Sequence, residues 1–171
     1  SETGVAMKES MTRRGLLGLG FWHNGMKQMS ANVPLISPDD ANGLKFRVQN
    51  SDVLKAQFEA LGASPQPMAF SEVYGALQTG VVDGQENSWS NIYGQKFFEV
   101  QDGVTETNHG VLDYMVVTST DFWDSLDDDT RTQLATIIDE VTSTRNAEST
   151  RVNAEAKEAI IAAGGVVREL T

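Results

Sequence analysis

The stretch Gly43-Leu44-Lys45-Phe46-Arg47-Val48-Gln49, followed after two helical segments by Asp83-Gly84-Gln85-Glu86-Asn87, decides the fold. Leu44, Phe46 and Val48 alternate with Lys45, Arg47 and Gln49, the pattern of a strand covered on one side, so Arg47 faces away from the apolar side. Ser51 caps a helix through Leu61, with a stripe of Val53, Leu54, Phe58 and Leu61 and a left-handed stop at Gly62. Pro67 to Phe70 reads as a short extended piece. Ser71 reads as the cap of a second helix that carries Val73, Tyr74 and Leu77 and ends at Gly80, and Val81-Val82 as the start of another strand. Strand, helix, strand, helix, strand in about forty residues is the signature of a parallel α/β layer, whose ligands gather at strand ends and helix N-termini. Arg47 and Asn87 then fall near one crevice. A cation on one strand and an amide at the end of a later one suit an anion held by directional, charge-assisted hydrogen bonds. On pattern alone an arginine on an alternating strand is ordinarily solvated, so its neighbours give Arg47 its weight.

Outward from this segment, residues 5–18 are weakly helical and Gly20-Phe21-Trp22-His23-Asn24-Gly25 reads as a strand running into a turn. Pro34 and Pro38 punctuate a loop, Gly103 to Ser119 reads as one long bent strand, and Thr120-Asp121 opens a short helix. No proline or glycine interrupts Asp127 to Ala163, and a single helix there would be ~55 Å long. Its first half has a core stripe of Leu134, Ile137, Ile138 and Val141, Thr142 to Glu155 is almost wholly polar, and Ala159, Ile160 and Ile161 resume the apolar pattern. Such a helix bridges two packed bodies. Gly164-Gly165 stops it and Val166-Val167 opens a strand.

With 171 residues, 40% hydrophobic and 22% charged, the chain has the composition of a globular protein with a sizeable core. A net charge of −11 and a pI near 4.5 argue against nucleic acid or an anionic membrane as partner, because such a surface repels phosphate. The absence of cysteine excludes disulfides, thiolate metal sites and cysteine nucleophiles, and no apolar run approaches the ~20 residues of a membrane span. The opening Ser1-Glu2-Thr3-Gly4 lacks the zones of a secretory leader and reads as a processed or truncated start.

Other chemistry finds little support. Asp83 and Glu86, three residues apart in a turn, give no basis for the carboxyl separation of a glycosidase pair. His23 and His109 lack metal-ligand spacing and read as hydrogen-bonded near strand ends. No serine sits in a Gly-x-Ser-x-Gly elbow. Trp22, Trp89 and Trp123 are by default core aromatics, with Trp89 set apart by the polar Ser88, Ser90 and Asn91 around it. Lys27 is by default exposed.

The run from Gly43 to Gln49, Ala60-Leu61-Gly62-Ala63, Pro67-Met68-Ala69-Phe70-Ser71-Glu72-Val73-Tyr74, Ala76 to Asn87, Lys96-Phe97-Phe98-Glu99-Val100 and Thr107-Asn108-His109 together closely resemble the solute-binding subunits of tripartite ATP-independent periplasmic (TRAP) transporters. The wording around Asn87-Ser88-Trp89-Ser90-Asn91-Ile92-Tyr93 and Thr105 to Gly110 looks like the branch that binds four-carbon dicarboxylates such as succinate, malate and fumarate. The resemblance spans the whole chain but only the middle and later part of a family member, which implies a fragment lacking the N-terminal part.

It implies an α/β, periplasmic-binding-protein-like clamshell, here partial, with mixed sheets flanked by helices and a long bridging helix. Residues 1–24 with 113–152 would form part of the first lobe, and 25–112 with 153–171 the second. By resemblance, Arg47 makes the principal salt bridge to a substrate carboxylate, Asn87 adds a hydrogen bond and Phe70 is an aromatic wall. Lys27 stands where relatives often carry a second arginine, and a lysine keeps the charge but loses the planar fork. Trp89 and Asn91 are candidate selectivity residues, and Asp113 is a cleft residue on the connecting strand. No cofactor or metal is implied. The partners implied are a small organic acid and the small and large membrane subunits of the transporter, in the periplasm, with lobe closure as the signal.

Two other readings stay open on the residues alone. One is a small α/β enzyme acting on a carboxylate substrate with Asp83, Glu86 or His109 as acid or base. The other is a folding or interaction fragment without ligand activity.

Overall fold

A computed structural model describes residues 2–170. The elements in chain order are α1 (Glu2–Thr12), β1 (Leu16–Ala31), β2 (Lys45–Val48), α2 (Asp52–Ala60), β3 (Ser64–Pro67), α3 (Val73–Gln78), β4 (Gly84–Ser88), α4 (Trp89–Gly94), β5 (Gly103–Glu106), β6 (Val111–Ser119), α5 (Thr120–Ser125), α6 (Asp128–Ala162) and β7 (Val167–Glu169). The fold is α/β, a mixed sheet flanked by helices, and the chain divides into two compact units. One comprises 1–24 and 113–151, the other 25–112 and 152–171. β1, β6 and α6 each run from one unit into the other.

The unit built on 25–112 holds the strand order β3-β2-β4-β1-β5-β7. β2 lies parallel to both β3 and β4, β1 is antiparallel to β4 and β5, and β5 is parallel to β7. Residues 43–87 therefore do form the expected strand-helix-strand-helix-strand layer, with β2 in the middle. Alternation along the strands gives the sheet two faces. Phe46, Val48, Met29, Ala31 and Leu35 form one buried cluster with Phe58 of α2, whose ring lies 5.0 Å from that of Phe46. Val73, Leu77, Val82, Trp89, Ile92, Phe97, Val104 and Ile160 form the other.

Ser51 caps α2 through Leu54 N (3.4 Å), and Gly62 takes the left-handed conformation (φ 71°) that a side chain would resist. The register Arg47↔Gln85 sets the end of β2 beside the first residues of β4, with Asn87 two positions further along.

Several elements differ from the sequence reading. α3 starts at Val73 after a 3-10 turn over Phe70–Glu72, and no side chain caps it, so Ser71 has no capping role. The strand after it begins at Gly84, because Val82 is a core anchor in the turn and Val81 is exposed. The extended piece falls on Ser64–Pro67 instead of 67–70, in register with β2. Residues 103–119 form two strands broken at 107–110, where Asn108 adopts φ 45° and Gln28 Oε1 accepts the N–H groups of Thr107 and Asn108. Val53 is exposed, so the stripe of α2 is narrower than its sequence suggests.

The other unit contains α1, the first part of β1, β6, α5 and most of α6. α6 has 35 residues, close to the length expected, and Gly164 (φ 88°) ends it. Thr142 Oγ1 accepts from Trp22 Nε1 (2.9 Å), and Asn146 bridges Phe21 O and His23 N. Every buried apolar side chain among the described residues lies in the unit of 25–112 and 152–171, none in this one. Ile137 and Val141 are exposed and Leu134 and Ile138 half-buried, so the stripe taken for core is only partly covered among the described residues.

Two expected outcomes follow from local geometry. A Cβ on Gly84 would drive into the Ser30 carbonyl oxygen and the Phe46 ring, so Gly84→Ala should destabilise by about 2 kcal/mol or more, read as a lower midpoint in urea. Asp40 accepts the N–H of Ser37 (2.7 Å) and of Ile36 (2.8 Å), and Asp127 accepts the N–H of Thr130 (2.8 Å) and its hydroxyl. These bonds hold both carboxyls below the usual aspartate range. A depressed folded-state value contributes stability above the unfolded value and loses it as pH falls through the folded one. Amide exchange at Ile36, Ser37 and Thr130 should therefore accelerate only in acid, below the pH at which free aspartate protonates.

Candidate functional site

Arg47 lies near the end of β2 and is 3% exposed, not solvated as its strand pattern alone suggests. The reason is the segment that follows β3. Met68 N donates to Val48 O (3.3 Å), which turns the Met68 carbonyl back onto the guanidinium. That one oxygen accepts from both Nε (3.0 Å) and Nη2 (2.8 Å). Nη1 and the second Nη2 hydrogen have no partner among the described residues. They border an open depression lined by Arg47, Gln49, Asn50, Pro67, Met68 and Ala69.

The Phe70 ring lies 5.8 Å from the guanidinium carbon, edge-on to Phe97 behind it, so the expected aromatic wall stands beside the cation as a cation–π partner. Burial pushes the guanidinium below its ordinary pKa, and the charge of Glu86 partly offsets this. Arginine stays protonated regardless.

Asn87 is two residues past Gln85, the register partner of Arg47, and so shares its face of the sheet. Asn87 is buried, and its Oδ1 accepts from Asn91 Nδ2 (2.7 Å) and Ser88 N (3.2 Å). Its own NH2 group has no partner among the described residues. Arg47 and Asn87 thus both present donors, an arrangement suited to a carboxylate.

Lys27 is not the exposed residue its type suggests, and its ammonium is engaged within the scaffold. Its Nζ lies 3.0 and 2.8 Å from the two oxygens of Glu86, which is 2% exposed and also within 3.3 Å of His109 Nε2. His109 Nδ1 pairs with Thr107 Oγ1 (2.7 Å). Glu86 lies on the opposite face of β4 from Asn87 by alternation. The sequence reading weighed Glu86 as an acid or base; its partners make it a counter-ion.

Trp89 is buried in the core with Lys157 Nζ 5.5 Å from its ring, so its polar neighbours do not mark it as a surface residue. Asn91 reaches Asn87. Asp113 belongs to the other unit, where it holds His23 Nδ1 at 2.7 Å. Sequence reasoning missed the Met68 carbonyl, which no side chain advertises, and the amides Gln49 and Asn50, which line the same depression as Arg47. Among the described residues no cluster of three or more His, Cys, Asp or Glu side chains could hold a metal, and no helix is long and apolar enough to cross a membrane.

The family of bacterial extracellular solute-binding proteins, family 7 (DctP), matches residues 1–171. The chain is 66% identical over 171 residues to the C4-dicarboxylate-binding periplasmic protein DctP of Vibrio cholerae, covering 100% of this chain and 52% of that protein. A TRAP periplasmic solute-binding protein from Shewanella oneidensis, solved with bound succinate, superposes with a TM-score of 0.97 at 52% identity, over 100% of this chain and 56% of that one. One from Pseudomonas aeruginosa with bound L-malate gives 0.96 at 45% identity, over 100% and 60%. The chain spans about half the length of the curated relatives it matches. With sequence match and fold in agreement from one end to the other, this chain belongs to family 7 of the bacterial extracellular solute-binding proteins.

Proposed function

We propose that this chain is part of a periplasmic solute-binding protein that captures a C4-dicarboxylate, succinate, malate or fumarate, and delivers it to the membrane subunits of a TRAP transporter. The observation that carries this reading is the Arg47 guanidinium. It is buried, anchored on one edge by Met68 O and unoccupied at Nη1. A fixed cation with a free edge, next to the unpartnered amide group of Asn87, grips one carboxylate through several charge-assisted bonds.

The names and bound ligands of the relatives support the substrate class and the periplasmic setting. The net charge of −11 makes such a local cation the natural point of entry for an anion, since the rest of the surface repels it. Lys27 is neutralised by Glu86 and supports the site's charge balance instead of gripping the ligand itself. Ligand recognition here makes and breaks no bonds.

Titration calorimetry with succinate, malate and fumarate tests this directly. Arg47→Ala should weaken binding by more than about 100-fold while cooperative unfolding by circular dichroism is retained. Arg47→Lys should also bind much more weakly, because a point charge cannot replace the fork. A near-unchanged affinity in Arg47→Ala refutes the site. Proton spectra of malate incubated with the protein should show no new species; product formation would make it an enzyme instead.

A further inference from the structure

We propose that Asn91 is a positioning residue for the anion site: by donating to Asn87 Oδ1 it locks the Asn87 amide with its NH2 group turned toward the ligand. The proposal rests on the reading of Arg47 and Asn87 as the pair that holds the anion.

An asparagine amide has nearly the same shape in either orientation about its last torsion, but the two orientations are chemically opposite. One offers two donors, the other an acceptor whose lone pairs repel a carboxylate. A site that uses asparagine to hold an anion therefore needs something to set the flip.

Here two donors set it. Ser88 N, a main-chain donor that cannot be anything else, lies 3.2 Å from Asn87 Oδ1 and identifies that atom as the oxygen. Asn91 then approaches the same oxygen at 2.7 Å with its own NH2 group. It is the shorter of the two contacts.

Asn91 is itself well placed to act this way. It sits in the first turn of α4, where its main-chain N–H donates to the Ser88 hydroxyl (3.4 Å), and the next residue, Ile92, is fully buried in the core. The side chain is thereby aimed back along the chain at Asn87, and the ligand-facing role falls to Asn87.

Asn87 is 4% exposed, yet its Nδ2 is not sealed off. The buried side-chain polar atom without a partner among the described residues is Gln85 Oε1. The Asn87 NH2 group keeps access to solvent, as a ligand-binding donor must.

A double-mutant cycle with succinate as the probe separates this from direct contact. In titration calorimetry Asn87→Ala should lose about tenfold in affinity, and Asn91→Ala about three- to tenfold. Asn87→Ala with Asn91→Ala should match Asn87→Ala alone within about twofold, because Asn91 acts only through Asn87. Losses that multiply would mean Asn91 touches the ligand itself, and unchanged affinity in Asn91→Ala would mean it does nothing; either overturns the proposal.

A ligand-free readout keeps the two readings distinct. In nitrogen-15 spectra the side-chain NH2 signals of Asn87 should shift and exchange faster in Asn91→Ala, and signals that stay put overturn the positioning role. If Arg47→Ala binds succinate as well as the parent protein, the anion-site reading fails, while the amide spectrum still decides the role of Asn91.

Discussion

A single carbonyl oxygen holding a buried cation is the constraint on which the rest of this site depends. The Met68 oxygen accepts two N–H groups of Arg47, and hydrogen bonds to charged groups are worth about 1.5–3 kcal/mol each. They offset the loss of hydration that burial imposes on the guanidinium, which Glu86 and the Phe70 ring further reduce. A main-chain acceptor also differs from a carboxylate in one useful respect. It fixes the guanidinium without neutralising it, so the full charge remains for an incoming anion.

The sheet order makes this possible. Because β3, β2 and β4 run parallel, their C-terminal ends lie side by side, and each contributes one part: Met68 just past β3, Arg47 on β2, Asn87 on β4. On the other face of the sheet, Glu86 of β4 meets Lys27 of β1 and His109 from the break between β5 and β6 in a neutralising cluster. Buried cations in one sheet repel; Glu86 satisfies Lys27 directly and still favours the charged form of Arg47. Charge is thus sorted by face, with a donor surface on one side and a closed ion pair on the other.

The parts legible in the sequence were those set by local chemistry. Ser51 and Gly62 mark the ends of α2, Gly164 marks the end of α6, and the alternation around Phe46 marks β2. What stayed hidden depended on tertiary partners. Nothing in Lys45-Phe46-Arg47-Val48 says that the arginine is covered, because the covering residue lies 21 positions on and acts through its backbone. Lys27 and Glu86 are 59 residues apart, so their pairing was invisible: Lys27 read as exposed by type or, by resemblance, as a ligand contact, and Glu86 was weighed as an acid or base only in a rival reading. The break at 107–110 falls where Gln28 Oε1 accepts two main-chain N–H groups, again a distant residue acting on a segment that reads as one strand. For α6, an amphipathic stripe predicts a covered face, yet Ile137 and Val141 on that stripe are exposed among the described residues.

The prolines of β3 have a consequence beyond the site. Ser64 N and Met68 N point inward to β2, so alternation turns the backbones of Pro65 and Pro67 to the outer rim of the sheet, and neither has an N–H to give. A foreign strand arriving at that rim would meet oxygens and almost no hydrogens, and could not build a ladder. The same short segment that steadies the arginine thus protects the molecule against polymerising through its open flank.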